Sequence, residues 1–120
     1  MGYLDDKKEK ELERVIQESV PGKQVTLAHV IAAPDKDIYS FIDIKNAGAI
    51  GILTLTPTET AIIATDIATK AAEVKIGFLD RETGTVVITG DVQSVETALK
   101  EVTNILTSKL GFASEKVTKT

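Results

Sequence analysis

Cysteine and tryptophan are absent from this 120-residue chain, and histidine occurs once. Without cysteine there is no disulfide, no thiolate nucleophile and no cysteine-held zinc or iron–sulfur centre. Aromatic residues number only five, two Tyr and three Phe, so Ile, Val, Leu and Ala must fill the core. Positive charge is also short: 14 Lys and Arg stand against 18 Asp and Glu, a net charge of −4. No basic stripe with interleaved aromatics forms, so nucleic acid is not an expected partner. Long hydrophobic runs are missing and the N-terminus is charged, which predicts neither a membrane span nor a signal peptide and makes the cytoplasm the expected compartment. The single histidine, His29, has no recognisable base, acid or nucleophile beside it and is a poor metal ligand alone, so a structural or subunit-contact role is expected. No catalytic residue, metal or cofactor follows from these residues.

What is present is one domain's worth of aliphatic sequence, 42% hydrophobic and 27% charged, organised around Ala49 to Asp91. Ala49 to Leu55 is an apolar, β-branched run, read as a strand buried on both faces. Thr56-Pro57-Thr58-Glu59 has the order of a capping box and predicts a helix start, with Ala61, Ile62, Ala64, Ile67, Ala68, Ala71 and Ala72 on its apolar face. Val74 to Leu79 predicts a second strand, Asp80-Arg81-Glu82-Thr83-Gly84 a turn, and Thr85 to Thr89 a third strand. Asp91 then caps a helix whose apolar positions Val92, Val95, Ala98, Leu99, Val102, Ile105, Leu106 and Leu110 run to the natural stop at Gly111.

In front of this block, residues 1–14 alternate charges and read as a disordered extension, a frayed terminus or a targeting peptide. Val15-Ile16-Gln17-Glu18-Ser19-Val20 is a short β-favouring run that ends at Pro21-Gly22 and needs a partner strand. Lys23 to Ala33 predicts a strand. Pro34 opens a short helix with Asp35 and Asp37 in its first turn and Ile38, Phe41 and Ile42 on one side. Gly48 is the residue that can take positive φ on the way back to the central strand. Residues 112–120 read as an exposed polar tail.

The runs AIGILTLTP, ATKAA, IGFLDRETG and VVITGDV resemble the shell proteins of bacterial microcompartments. The segment PGKQVTLAHVIAAPDKD stands in front of them, an order that resembles the circularly permuted subfamily. Within it, IQESVPGKQVTLAHVIA is similar to the propanediol- and ethanolamine-utilisation members. The resemblance implies a ferredoxin-like α/β (α+β) domain over 23–111 and an extra N-terminal strand over 15–22. It further implies that strands Val15 to Val20 of six subunits close a small barrel on the hexamer axis, and that Lys70 lies at the hexamer edge against its counterpart. Where unpermuted members carry a glycine-rich pore loop this chain has DRETG, and Ala33 replaces an edge arginine, which implies weaker or mixed edges.

Other constellations have plainer readings. Asp80, Arg81 and Glu82 are solvated turn charges. Gly48-Ala49-Ile50-Gly51 and Thr89-Gly90-Asp91 lack the spacing of phosphate-binding loops. Asp66 sits alone in its helix with no second carboxylate placed to pair with it. Lys70 near the helix end suits the dipole. The sequence therefore predicts an antiparallel sheet of about four strands with helices against it. With the absence of catalytic groups, the resemblance implies a non-enzymatic, homohexameric shell tile with a constricted or barrel-capped pore, in which Gly48 would be a bend hinge. Its partners would be other shell proteins and encapsulated enzymes. The alternative is a small oligomeric regulatory or metabolite-binding domain.

Overall fold

The structure, a computed structural model, describes residues 22–120. Four strands of useful length form an antiparallel sheet: β1 (Gln24–Ile31), β2 (Ala49–Thr56), β3 (Lys75–Asp80) and β4 (Thr85–Gly90), in the order β3-β4-β2-β1. Between them lie α1 (Lys36–Phe41), joining β1 to β2, and α2 (Thr60–Ala71), joining β2 to β3. The long α3 (Val92–Leu110) follows β4, and two-residue strands β5 (Ala113–Ser114) and β6 (Thr118–Lys119) run parallel to β1 on its outer edge. Moving β1 to the end of the chain gives β-α-β-β-α-β, the ferredoxin-like order, so the element that completes the sheet precedes it in sequence.

The two faces of β2 carry separate apolar clusters because side chains alternate along a strand. Ala49, Leu53 and Leu55 face α2 and α3 in the larger core with Val30, Val86, Ile88, Val95, Leu99, Val102 and Leu106. Ile50 and Ile52 face the other way, where Tyr39 of α1 packs with Val87, Ile31, Ile42 and Ile44. The strand is thus covered on both sides, as its unbroken apolar run predicts. Gly51 is what lets α3 come close: a Cβ there would stand 2.7 Å from Val95 Cγ1 and 2.9 Å from Ile88 Cγ1.

The capping-box reading of Thr56 to Glu59 is overturned. Thr56 is the last residue of the ladder, paired with Gln24, and the helix begins only four residues beyond it. A turn over Pro57 to Glu59 intervenes, and α2 starts at Thr60 with Glu59 at the cap position and no side-chain cap bond. The buried face of α2 also differs, being Thr60, Ala61, Ala64, Thr65 and Ala68, whereas Ile62 is half exposed. Small residues at those positions let the helix axis approach the sheet, and this rotates Ile62 outward.

In α1, Asp35 rather than Pro34 makes the start, its carboxylate accepting from the Asp37 amide at 2.9 Å. Tyr39 is the buried residue, and of the predicted Ile38-Phe41-Ile42 side only Ile42 packs inward, Ile38 being exposed and Phe41 90% exposed. At α3 the sequence reading holds. Asp91 accepts from the Ser94 amide at 2.8 Å and from its hydroxyl at 2.9 Å, and Gly111 ends the helix at φ 74°. These bonds from Ser94 keep the Asp91 carboxyl below the usual carboxylate range.

Residues 112–120 are not a free tail. Phe112 is buried in the main core, and Val117 packs against that core. Backbone bonds from Ala113 N to Lys23 O (2.9 Å), Ala32 N to Thr120 O (2.8 Å) and Thr120 N to Val30 O (2.9 Å) hold the strap along β1. The pattern was invisible in the sequence because strands of two residues leave no periodicity.

Candidate assembly surfaces

Among the described residues no three or more His, Cys, Asp or Glu are grouped as a metal site would need, and no helix is long and apolar enough to cross a membrane. His29, the residue most easily mistaken for chemistry, is a strut. Its Nδ1 lies 2.6 Å from Thr118 Oγ1 and its Nε2 lies 2.8 Å from Thr120 Oγ1, while the Thr118 hydroxyl donates to Ala28 O at 3.3 Å. Both ring nitrogens are therefore spent on fixing the strap. Lys119 adds an ion pair with Glu96 at 3.3 Å. The hydrogen bond and charge of Lys119, with Lys100 further off, hold the Glu96 carboxyl below its ordinary range.

The Asp80-Arg81-Glu82 turn has an internal purpose. Asp80 accepts from the Glu82 amide and from the Thr83 hydroxyl, each at 2.9 Å, and these bonds lower its pKa. Arg81 and Glu82 point to solvent. The turn closes the β3–β4 hairpin and has no acid–base arrangement.

The surfaces that stand out are apolar. Ile62 and Ile63 on α2 are 50% and 46% exposed, and Ile76, Phe78 and Leu79 on β3 are also exposed. β3 is the sheet's edge strand on that side. A bare edge with apolar side chains is a liability for a protein that stays alone and an asset for one that is covered by neighbours. Sequence reading placed Ile62 in the core and so missed its part in this surface; the alanines and threonines on the opposite side of α2 were the available signal.

Lys70 stands in the last turn of α2, its ammonium 3.0 Å from the Asp66 carboxylate one turn earlier, with the two side chains 75% and 59% exposed. The open cleft between α2 and α3 is lined by Asp66, Lys70 and Glu101 together with Ile67, Ala71 and Ile105. Helix-to-helix packing created this grouping from residues far apart in the chain, so no local motif announced it.

Gly48 has φ +105°, as expected for the residue that admits the chain to β2, and its amide donates to Asn46 Oδ1 at 3.1 Å. A Cβ here would sit 3.5 Å from Gly90 O, an ordinary contact, so the backbone angle and not space is what demands glycine. The axial-barrel residues Val15, Ile16, Gln17, Glu18, Ser19 and Val20 lie outside the described residues.

Comparison with known proteins agrees with the fold. The BMC domain family matches residues 49–119, starting at β2 and leaving β1 and α1 in front, as a permuted order requires. The bacterial microcompartment shell protein PduU of Salmonella typhimurium is 58% identical over 109 residues, covering 90% of this chain and 94% of its own. The solved CutR flat hexamer, form 1, is 54% identical with a TM-score of 0.81, covering 88% of this chain and 97% of that one. A CutR screw with 41.9 Å pitch is 52% identical with a TM-score of 0.80, covering 83% of this chain and all of that one. These relatives support a structural shell role and not the regulatory-domain alternative. The chain belongs to the BMC domain family, as a circularly permuted shell protein of bacterial microcompartments.

Proposed function

We propose that the chain is a non-enzymatic homohexameric tile of the microcompartment shell. The observation that carries this is the set of exposed apolar side chains, Ile62 and Ile63 on α2 and Ile76, Phe78 and Leu79 on the open edge strand β3. A cyclic oligomer covers such a surface in every copy at once, and ring closure leaves no edge bare. The same contact repeated with a small translation gives a screw in place of a ring, and both forms exist for CutR.

The strap supports an axial destination for Val15 to Val20. β5 and β6 already pair with β1 at Gln24–Val25 and at His29–Val30. A strand that folded back over Pro21-Gly22 would find that edge taken. Pairing with the equivalent strands of neighbouring subunits is the open alternative, and a barrel there constricts the pore. Other shell proteins, and enzymes enclosed by the shell, are the partners of such a tile. Gly48 joins β2 to the segment from α1 and is the hinge through which a hexamer would bend. A crystal structure of Gly48→Val with an unchanged bend would remove that role.

Light-scattering mass with negative-stain imaging at high concentration tests the tile. A hexamer mass with planar, bent or tubular arrays is expected. A discrete monomer or dimer, alone and mixed with other shell proteins, would refute it.

A further inference from the structure

The chain from α1 to β2 has one apolar anchor. Of residues 43–48 only Ile44 is half-buried, the others being exposed, and it packs with Tyr39, Ile50 and Val87 on the face of the sheet away from α2 and α3. Its seat is Gly77, the residue at the bulge of β3, where the register with β4 shifts between Ile76 and Phe78. A Cβ at Gly77 would stand 2.6 Å from Ile44 Cδ1, 3.1 Å from Val87 O and 3.2 Å from Val87 Cγ1. We propose that Ile44 seated on Gly77 is a clamp that couples the assembly edge β3 to the segment carrying Gly48, so that the two move as one body when tiles associate. The inference rests on the tile reading and assigns residues that set the shape of the tile.

Three observations meet here. The segment is stiff at its start: α1 closes with the Asp43 amide donating to Ser40 O at 3.2 Å and the Ile44 amide donating to Tyr39 O at 2.9 Å, with Asp43 at φ 57°. That pairing is the left-handed stop usually given to glycine, and it turns Ile44 back onto Tyr39. At the other end Gly48 has φ +105°. A change of angle there reaches Ile44 through Lys45, Asn46 and Ala47 alone, and Ile44 cannot shift without leaving Gly77. The assembly edge lies on the far side of the same contact. Phe78 pairs with Val87, so it shares a face of the sheet with Val87 and Ile44, and it is exposed on an edge strand. A neighbour that covers Phe78 closes on the strand that holds the seat. Bulges re-aim side chains where a sheet edge has work to do, and glycine at this one leaves the gap that Ile44 fills.

Amide hydrogen exchange on the full-length protein, confirmed as a hexamer by mass, tests the clamp, with negative-stain imaging of its arrays as the readout of shape. Gly77→Ala places a methyl within 2.6 Å of Ile44 Cδ1. It should speed exchange at residues 44–48 about tenfold, within the range that overpacking produces, and widen the spread of array curvature. Ile44→Val removes Cδ1, so Gly77→Ala combined with Ile44→Val should return both readouts toward wild type. A merely structural loss within β3 would not be rescued from another segment. Ile44→Ala empties the seat without altering β3 and serves if Gly77→Ala prevents folding; it should give the same faster exchange and wider spread. Exchange at 44–48 equal to wild type in Gly77→Ala or Ile44→Ala, or faster exchange with an unchanged spread of curvature, overturns the clamp and leaves the tile reading intact. So does a double variant no closer to wild type than Gly77→Ala alone. A wild type that never forms hexamers or arrays refutes the tile, and the part of the clamp in its shape goes with it.

Discussion

Tyr39→Phe should stabilise the protein. The Tyr39 ring is 3% exposed, and its hydroxyl is buried without a hydrogen-bond partner among the described residues. Folding therefore strips water from a polar group and returns nothing. An unsatisfied buried hydroxyl costs about 1–3 kcal/mol, whereas removing one oxygen forfeits contacts worth only ~0.1–0.2 kcal/mol each. The expected net gain is about 1 kcal/mol. With an unfolding entropy of ~2.1 cal/mol/K per residue over a chain of this length, that gain raises Tm by about 4 °C. Urea denaturation followed by far-UV circular dichroism is the assay, because one of only two tyrosines is removed and tyrosine fluorescence is no longer comparable. Subunit concentration is held fixed, since oligomerisation shifts the apparent midpoint. Tyr39→Ala is the control: it empties the seat between Ile50 and Val87 and should cost about 3–5 kcal/mol, as large aromatic truncations do. A Tyr39→Phe loss of about 1 kcal/mol or more, the worth of a hydrogen bond, would refute the reasoning and mean that the hydroxyl has a partner. A loss confined to the assembled protein would put that partner on a neighbouring subunit.

Gly48→Val should destabilise by about 1–3 kcal/mol, the cost of holding a branched residue where L side chains are rarely found; an unchanged urea midpoint would contradict the +105° φ. Acid should weaken the fold through Asp80, Asp91 and Glu96, whose pKa values all lie below their ordinary range. A depressed carboxylate contributes its stability in full above its unfolded pKa and loses it as pH falls through the folded value, so thermal midpoints should be flat from about pH 7 to 5 and decline below about 4. Asp91→Asn keeps a capping side chain but removes the titration, and should make that decline shallower; an identical acid limb would show that Asp91 does not contribute. Ending the chain at Phe112 keeps the buried ring but strips β5 and β6 from β1, and the bared edge should raise the light-scattering mass or cause aggregation. An unchanged mass and solubility would mean that the strap does not protect that edge.

The functional surfaces were legible in the sequence to very different degrees. Lys70 and Gly48 were identifiable by place, the first as a cation at a helix end and the second as the glycine before a buried strand. Lys70 is found in the last turn of α2 and Gly48 at positive φ. The company Lys70 keeps was not legible, because Glu101 and Ile105 come from another helix. The outward position of Ile62 was misread for a related reason. A helix with alanine on one side and isoleucine on the other has two candidate buried faces, and only the sheet beneath it decides which one fits.

Local chemistry determined the elements of this protein. The apolar run of β2, the Asp91 cap, the Gly111 stop and the spacing along α3 each act through a few neighbouring residues, and each is readable from the chain. Recognisable runs in a permuted order were enough to point to the shell family. Tertiary structure alone decided how far β2 extends, which face of α2 is buried, and where the last nine residues go. Thr56 pairs with Gln24, and the helix that follows starts only at Thr60. The strap is held by His29, Ala32 and Val30, all far earlier in the chain. Such contacts depend on which surfaces the sheet leaves open, a property of the assembled fold that no short stretch of sequence encodes.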